Sequence, residues 1–265
     1  MDTGITGKVA IVGGGSRGLG KAAAHALAAE GAHLMICARS EDALREASSE
    51  ISKAHGVRVE IYPGDLEQPV TIDGLIKETL SRFNGLHILV SNIGGPPPGS
   101  ALQLSESDWH TAINRSFLFF SRISSAVIPY MQQQEWGRII SILSSSIKDP
   151  IPNLALSTSA RLGAAGYLKA LSLEVAINNI TVNGILPLDI LTDRQYELAE
   201  AQLSKQGGTD TVEDILLLKA QTNPSGRLGL PNEVGALVAF LASEQAGFIN
   251  GTNILIDGGA TRSVL

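Results

Sequence analysis

A short apolar run that ends on three glycines and passes directly into an alanine-rich segment constrains this chain more than any other feature. Lys8-Val-Ala-Ile-Val12 has the length of a buried strand, Gly13-Gly14-Gly15 stops it, and Gly18 to Glu30 is built of small helix formers. The same beat recurs to the end. His33–Cys37, Val57–Tyr62, Leu86–Val90, Arg138–Leu143, Thr181–Leu186 and Asn253–Ile256 read as strands. Glu41–His55, Val70–Phe83, Trp109–Gln133, Leu156–Ile177 and Glu233–Ala242 read as helices, and Thr192–Lys219 as polar and mostly helical. Strands so regularly separated by helices predict an α/β fold, a doubly wound parallel sheet of the Rossmann kind covered on both faces. With 265 residues, 44% of them hydrophobic, the expectation is one domain spanning 1–265 with a sizeable core. No linker, repeat or low-complexity tract interrupts it.

Composition excludes several classes. The net charge is −6 and no basic run occurs, so nucleic acid is not an expected partner. No apolar run approaches the ~20 residues that cross a bilayer, and no charged-then-apolar leader opens the chain, so no membrane is expected. The single cysteine, Cys37, allows no internal disulfide and suits a reducing, cytoplasmic setting. No metal site is expected.

The glycine segment Gly14-Gly15-Ser16-Arg17-Gly18-Leu19-Gly20 lies between first strand and first helix. A dinucleotide needs backbone close to its pyrophosphate, where a side chain would collide, and glycine removes that obstacle and permits positive φ. The helix N-terminus adds free N–H groups and a positive dipole end. Gly14, Ser16, Arg17, Gly18, Leu19 and Gly20 are therefore the candidate cradle. The second strand ends at Ala38 without the acid that grips a ribose 2′-hydroxyl in NAD-binding domains. Arg39 and Ser40 follow instead, and Arg17 stands in the glycine loop. Two guanidinium groups at these positions suit a 2′-phosphate, hence NADP(H). Gly94-Gly-Pro-Pro-Pro-Gly99 follows a strand directly and reads either as a stiff turn or as a substrate-contacting loop.

With these residues the chain resembles the short-chain dehydrogenase/reductase family over nearly its whole length. The glycine segment is similar to the family's Thr-Gly-x-x-x-Gly-x-Gly, with Gly13 at the threonine. Gly64-Asp65-Leu66 resembles the segment whose acid meets the adenine, and Ser91-Asn92-Ile93-Gly94 the Asn-Asn-Ala-Gly turn beside the cofactor. Pro187-Leu188 with Thr192 resembles Pro-Gly-x-x-x-Thr near the nicotinamide, the glycine lost. Gly226-Arg227-Leu228, Ile249-Asn250-Gly251 and Asp257-Gly258-Gly259 match the usual C-terminal pattern. The subgroup most resembled is 3-oxoacyl-carrier-protein-reductase-like, with a Gly-Gly-Pro-Pro-Pro-Gly loop. The resemblance implies cofactor contacts from Asp65, Leu66, Asn92, Gly94, Pro187 and Thr192. It also implies a substrate lid over 188–225 and a homotetramer or homodimer formed by the two long helices, where Ala160, Gly163, Ala164, Ala165 and Gly166 allow close approach.

The family's catalytic Asn, Ser, Tyr and Lys are mostly missing. Ser144 holds the serine position. Thirteen residues on, the tyrosine position is Ser157, and the lysine, one turn later, is Arg161. The asparagine position, seven residues after Trp109, is Ser116; Asn114, two residues earlier on a helix, points about 160° away. Tyr167 and Lys169 stand two apart, the wrong spacing for one helix face. A serine hydroxyl is a far weaker acid than a phenol of pKa about 10, so Ser157 cannot replace the tyrosine as proton donor. Arg161 keeps a positive charge that can hold ribose hydroxyls but cannot shuttle protons. Lys148, Asp149, Asp189 and Tyr196 remain near the pocket, each a surface or ion-paired residue first and a proton donor second. Three functions stay open: an NADP(H)-dependent oxidoreductase on the carbonyl or alcohol of a small-molecule substrate by an altered proton path, a non-redox enzyme on the same scaffold, and an inactive cofactor-binding protein.

Overall fold

The computed structural model describes residues 2–206 and 211–264. Seven parallel strands form one sheet: β1 (Val9–Gly13), β2 (His33–Ala38), β3 (Val59–Pro63), β4 (Ile88–Ser91), β5 (Gly137–Ile142), β6 (Ile180–Pro187) and β7 (Asn253–Ile256), in the order β3-β2-β1-β4-β5-β6-β7. Their apolar runs carry two faces at once, because successive side chains point to opposite sides. Ala10 and Val12 of β1, with Leu34 and Ile36 of β2, join one core; Ile11, Met35 and Cys37 join the other.

The first core is covered by α1 (Gly18–Ala29), α2 (Glu41–His55) and, later in the chain, the helix Pro231–Ala242. The second lies under α3 (Pro69–Phe83) and the long helices that follow β4 and β5. Local chemistry sets the helix ends. The Ser40 side chain accepts from Ala43 N at 3.3 Å to start α2. Pro69 opens α3, one residue before the sequence expectation, because its missing N–H is spare in a first turn. Asn84 ends α3 in the left-handed region.

One expectation is corrected. Trp109–Gln133 is not a single α-helix. It divides into α4 (Glu106–Ile113), a π turn over Asn114–Leu118, and α5 (Phe119–Gln133). The π turn inserts a residue into the helical repeat and rotates the faces that follow. After β5 comes α6 (Ala155–Val175). The expected helical stretch Thr192–Lys219 separates into α7 (Asp193–Gln206) and α8 (Val212–Thr222); residues 207–210 of that stretch lie outside the described residues. Ile215 and Leu216 are buried while Leu217 and Leu218 are exposed. The final helix Pro231–Ala242 is α9. Among the described residues no helix is long and apolar enough to cross a membrane.

The sheet reverses direction of growth between β1 and β4, and a crevice forms beyond their C-terminal ends. There the Asn92 side chain donates to Gly13 O at 3.1 Å, tying the two loops together.

Candidate functional site

Two glycines shape the floor of the crevice. Gly14 has φ +62°, and a Cβ on it would meet Asn92 Nδ2 at 2.6 Å. A Cβ on Gly20 would meet the Gly14 carbonyl oxygen at 2.2 Å, so α1 packs against the loop only because position 20 is glycine. The N-cap of α1, Arg17, makes no side-chain capping bond. The first N–H groups of α1 are thus left for a ligand, at the positive end of the helix dipole. That arrangement fits a phosphate-bearing group.

From this cradle a cleft of about 580 Å³ runs in both directions. Gly14, Ser16, Arg17, Gly18 and Leu19 line its floor; Gly20 lies beneath it. At one end the wall is Arg39, Ser40, Asp65 and Leu66. At the other it is Asn92, Gly94, Arg161, Pro187 and Thr192. Residues far apart in the chain, singled out as cofactor contacts, converge on one groove. Cys37 also lines the first end, its thiol pushed up to about 12 by burial and by the Asp65 carboxylate.

The two arginines differ. Arg39 is exposed and has no ion-pair partner among the described residues. Arg17 lies 3.6 Å from Glu197 of α7, which Arg194 also reaches at 3.1 Å. Glu197 was not visible as a site residue, since nothing local in sequence joins it to a loop about 180 residues earlier. A second missed pair lines the cleft: Arg115 Nη2 and Nε reach Glu67 Oε1 at 2.5 and 2.8 Å.

The four candidate catalytic positions do not share one surface. Arg161 lines the cleft, and its Nη1 donates to Ile142 O at 2.9 Å and Leu143 O at 2.5 Å. Its Nε is buried without an acceptor. Burial lowers its pKa to about 10, which leaves it cationic at neutral pH. Ser116, in the π turn, is buried with its hydroxyl unpartnered; with Ser91, Ser141 and Arg161 it lines a separate cavity of about 10 Å³, room for one water. Asn114 is engaged elsewhere, accepting from Arg122 at 2.7 Å. Ser144 and Ser157 stand off the cleft wall: Ser144 Oγ accepts from Ser146 N at 3.2 Å, and Ser157 is 9% exposed.

Of the other ionisable residues, Lys148, Asp149 and Tyr196 are also off the wall, and Asp149 accepts from Arg262 N at 3.4 Å. Asp189 is on it. Tyr167 bonds Ser125 at 3.1 Å and packs against Phe117 and Phe120, away from the site.

A family model described as enoyl-(acyl carrier protein) reductase matches residues 13–261. The chain is 33% identical to a 3-oxoacyl-acyl-carrier-protein reductase of Escherichia coli, over 96% of this chain and 97% of that one. It is 30% identical to 2,3-dihydro-2,3-dihydroxybenzoate dehydrogenase of Bacillus subtilis, over 98% of both. In structure it is similar to L-sorbose reductase from Gluconobacter frateurii, solved with NADPH and L-sorbose: TM-score 0.94, 30% identity, 100% of both chains covered.

Proposed function

This chain belongs to the short-chain dehydrogenase/reductase family, and from that premise we propose that it is an NADP(H)-dependent oxidoreductase acting on the carbonyl or alcohol of a small molecule, with a non-standard proton path. The observation that carries the proposal is the continuous cleft from Arg39, across the N-terminus of α1, to Arg161. Its length and chemistry suit an extended molecule with phosphates at the middle and one end.

In this reading Gly14, Ser16, Gly18 and Leu19 bind the pyrophosphate, Arg39, Arg17 and Ser40 the 2′-phosphate, and Asp65 and Leu66 the adenine. Gly20 acts beneath them by letting α1 approach. Asn92, Gly94, Pro187 and Thr192 orient the nicotinamide, and the Arg161 cation holds the neighbouring ribose hydroxyls. When bound, the cofactor supplies a hydride to the substrate carbonyl carbon. Ser144 orients the carbonyl oxygen after giving up its bond to Ser146 N, and Ser116 and Ser157 contribute hydroxyls behind Arg161. Segment 188–225, containing α7 and α8, is the lid of a single domain; Lys219 Nζ ties the two helices by donating to Gln195 at 2.7 Å. Exposed Leu162, Leu173 and Ile177 on and beyond α6 favour burial between subunits, as a homotetramer or a homodimer. The one thiol, Cys37, is buried and suits a reducing cytoplasm.

Fluorescence titration with NADPH, followed by a scan of carbonyl compounds for NADPH loss, tests the reading. Binding with turnover is the expected result. Binding without turnover of any ketone or aldehyde would replace it with a non-redox or purely binding role.

A further inference from the structure

The cleft contains few groups able to give up a proton. Glu67 is held by Arg115, and Glu197 by Arg17 and Arg194. Asp65 accepts from Glu67 N at the Arg39 end, far from Arg161 along the groove. Asp193 is in the first turn of α7, at the positive end of that helix's dipole. The Cys37 thiol is buried beside Asp65. Asp189 is different. It stands two residues beyond the end of β6, in the cleft also lined by Arg161 of α6, Ile142 at the end of the adjoining strand β5, and Leu143 just past it. No ion pair or side-chain hydrogen bond engages its carboxyl among the described residues.

Its backbone is also unusual. Asp189 has φ +51°, in the left-handed region. The conformation is held from outside: Gly229 N donates to Asp189 O at 3.0 Å, and Leu191 N to Gly229 O at 2.8 Å. A non-glycine residue kept in this region by long-range bonds, beside a ligand cleft, is a feature that sites of chemistry retain.

We propose that Asp189 is the proton donor of this enzyme, taking the role that the family's absent tyrosine leaves vacant. The proposal rests on the redox reading above. In the reductive direction the carbonyl carbon gains the hydride, the carbonyl oxygen takes the proton of the Asp189 carboxyl, and the products are the alcohol, the oxidised nicotinamide and the Asp189 carboxylate. The carboxylate regains its proton from solvent at the cleft mouth, since the residue is only half-buried. Burial raises its pKa and the Lys219 cation on α8 opposes that rise. The other charged groups on neighbouring elements are Arg161 of α6 and Asp193 and Arg194 of α7. A donor must be protonated when it acts, so reduction slows as pH rises through the Asp189 pKa.

Asp189→Asn tests this, because asparagine tolerates the same backbone conformation and nearly the same volume. Two readouts are needed. Carboxyl-carbon NMR of the aspartate-labelled NADPH complex, with Asp189→Asn assigning the signal, is expected to show Asp189 titrating above the ordinary aspartate pKa of about 3.9. Turnover of a ketone found by screening is expected to fall about 10²–10⁴-fold in Asp189→Asn, with the pH dependence lost and the NADPH Kd within about 3-fold of the parent. An Asp189 signal at the ordinary value, or unchanged turnover in the variant, overturns the proposal while the redox reading stands. A parent protein that binds NADPH and reduces no carbonyl compound overturns both.

Discussion

Arg17 of the glycine loop and Glu197 of α7 stand 3.6 Å apart across the mouth of the cleft, so the loop expected to meet a 2′-phosphate is already in contact with a carboxylate from the opposite side. The pair is largely solvent-exposed, and such pairs are worth about 0.2–1 kcal/mol. An incoming phosphate therefore displaces Glu197 at small cost. Glu197→Gln is expected to tighten NADPH binding about 1.5–5-fold, with less change for NADH. Equal effects on the two cofactors in paired titrations would show that Arg17 does not sense the phosphate.

Arg39 has no competing carboxylate among the described residues. Replacing it with aspartate removes one charge-assisted contact and adds a repulsive charge. Arg39→Asp should weaken NADPH by about 1.5–3 kcal/mol, or about 10–150-fold, and NADH hardly at all. Isothermal titration with both cofactors measures the difference.

The register of α6 permits a rescue experiment. Position 157 lies one turn before Arg161, whose guanidinium reaches the carbonyls at the end of β5. In an Asp189→Asn background, Ser157→Tyr with Arg161→Lys supplies a phenol whose pKa a nearby ammonium lowers. Turnover should recover by about 10²-fold or more in steady-state assays. No recovery would mean that position 157, buried as it is, cannot present a side chain to the cleft.

Gly20 makes a prediction about stability. A methyl group there would lie 2.2 Å from the Gly14 carbonyl oxygen, and backbone must move to admit it. Gly20→Ala should lower the melting temperature by several degrees and abolish NADPH binding, because the same shift misplaces the first N–H groups of α1. Calorimetry and fluorescence titration report the two losses separately.

His87 sets a pH dependence away from the site. Its Nδ1 accepts from Val9 N at 3.1 Å, and burial, with repulsion from Lys8, lowers its pKa from 6.5 to about 4. The unfolded chain takes up this proton near pH 6.5 and the folded one resists until about 4, so the folded state loses stability as pH falls between those values. Because the ring is only half-buried, the loss by pH 4 should be about 1–3 kcal/mol. His87→Asn should flatten that part of a denaturation-versus-pH curve by close to one proton.

Much of this was legible along the chain because it is local. Strand lengths, helix caps such as Ser40, and the glycine run between β1 and α1 follow from propensity and steric limits over a few residues. Two faces per strand follow from the pleat, once apolar runs such as Ala10-Ile11-Val12 are recognised as buried on both sides. The family motifs then ordered residues as distant as Gly14 and Pro187 along one groove.

What the tertiary structure decided depends on geometry between segments. The π turn that buries Ser116 is announced by no breaker residue in Asn114–Leu118. Arg115 with Glu67, and Arg17 with Glu197, are ion pairs whose members have ordinary surface-residue sequences around them. Ser144 and Ser157 hold their motif positions yet stand off the cleft wall, which no motif spacing encodes. Asp189, one carboxylate among 26 acidic residues, was legible as a residue of the segment after β6; the bonds that join its loop to Gly229 were not, because they connect segments distant in the chain.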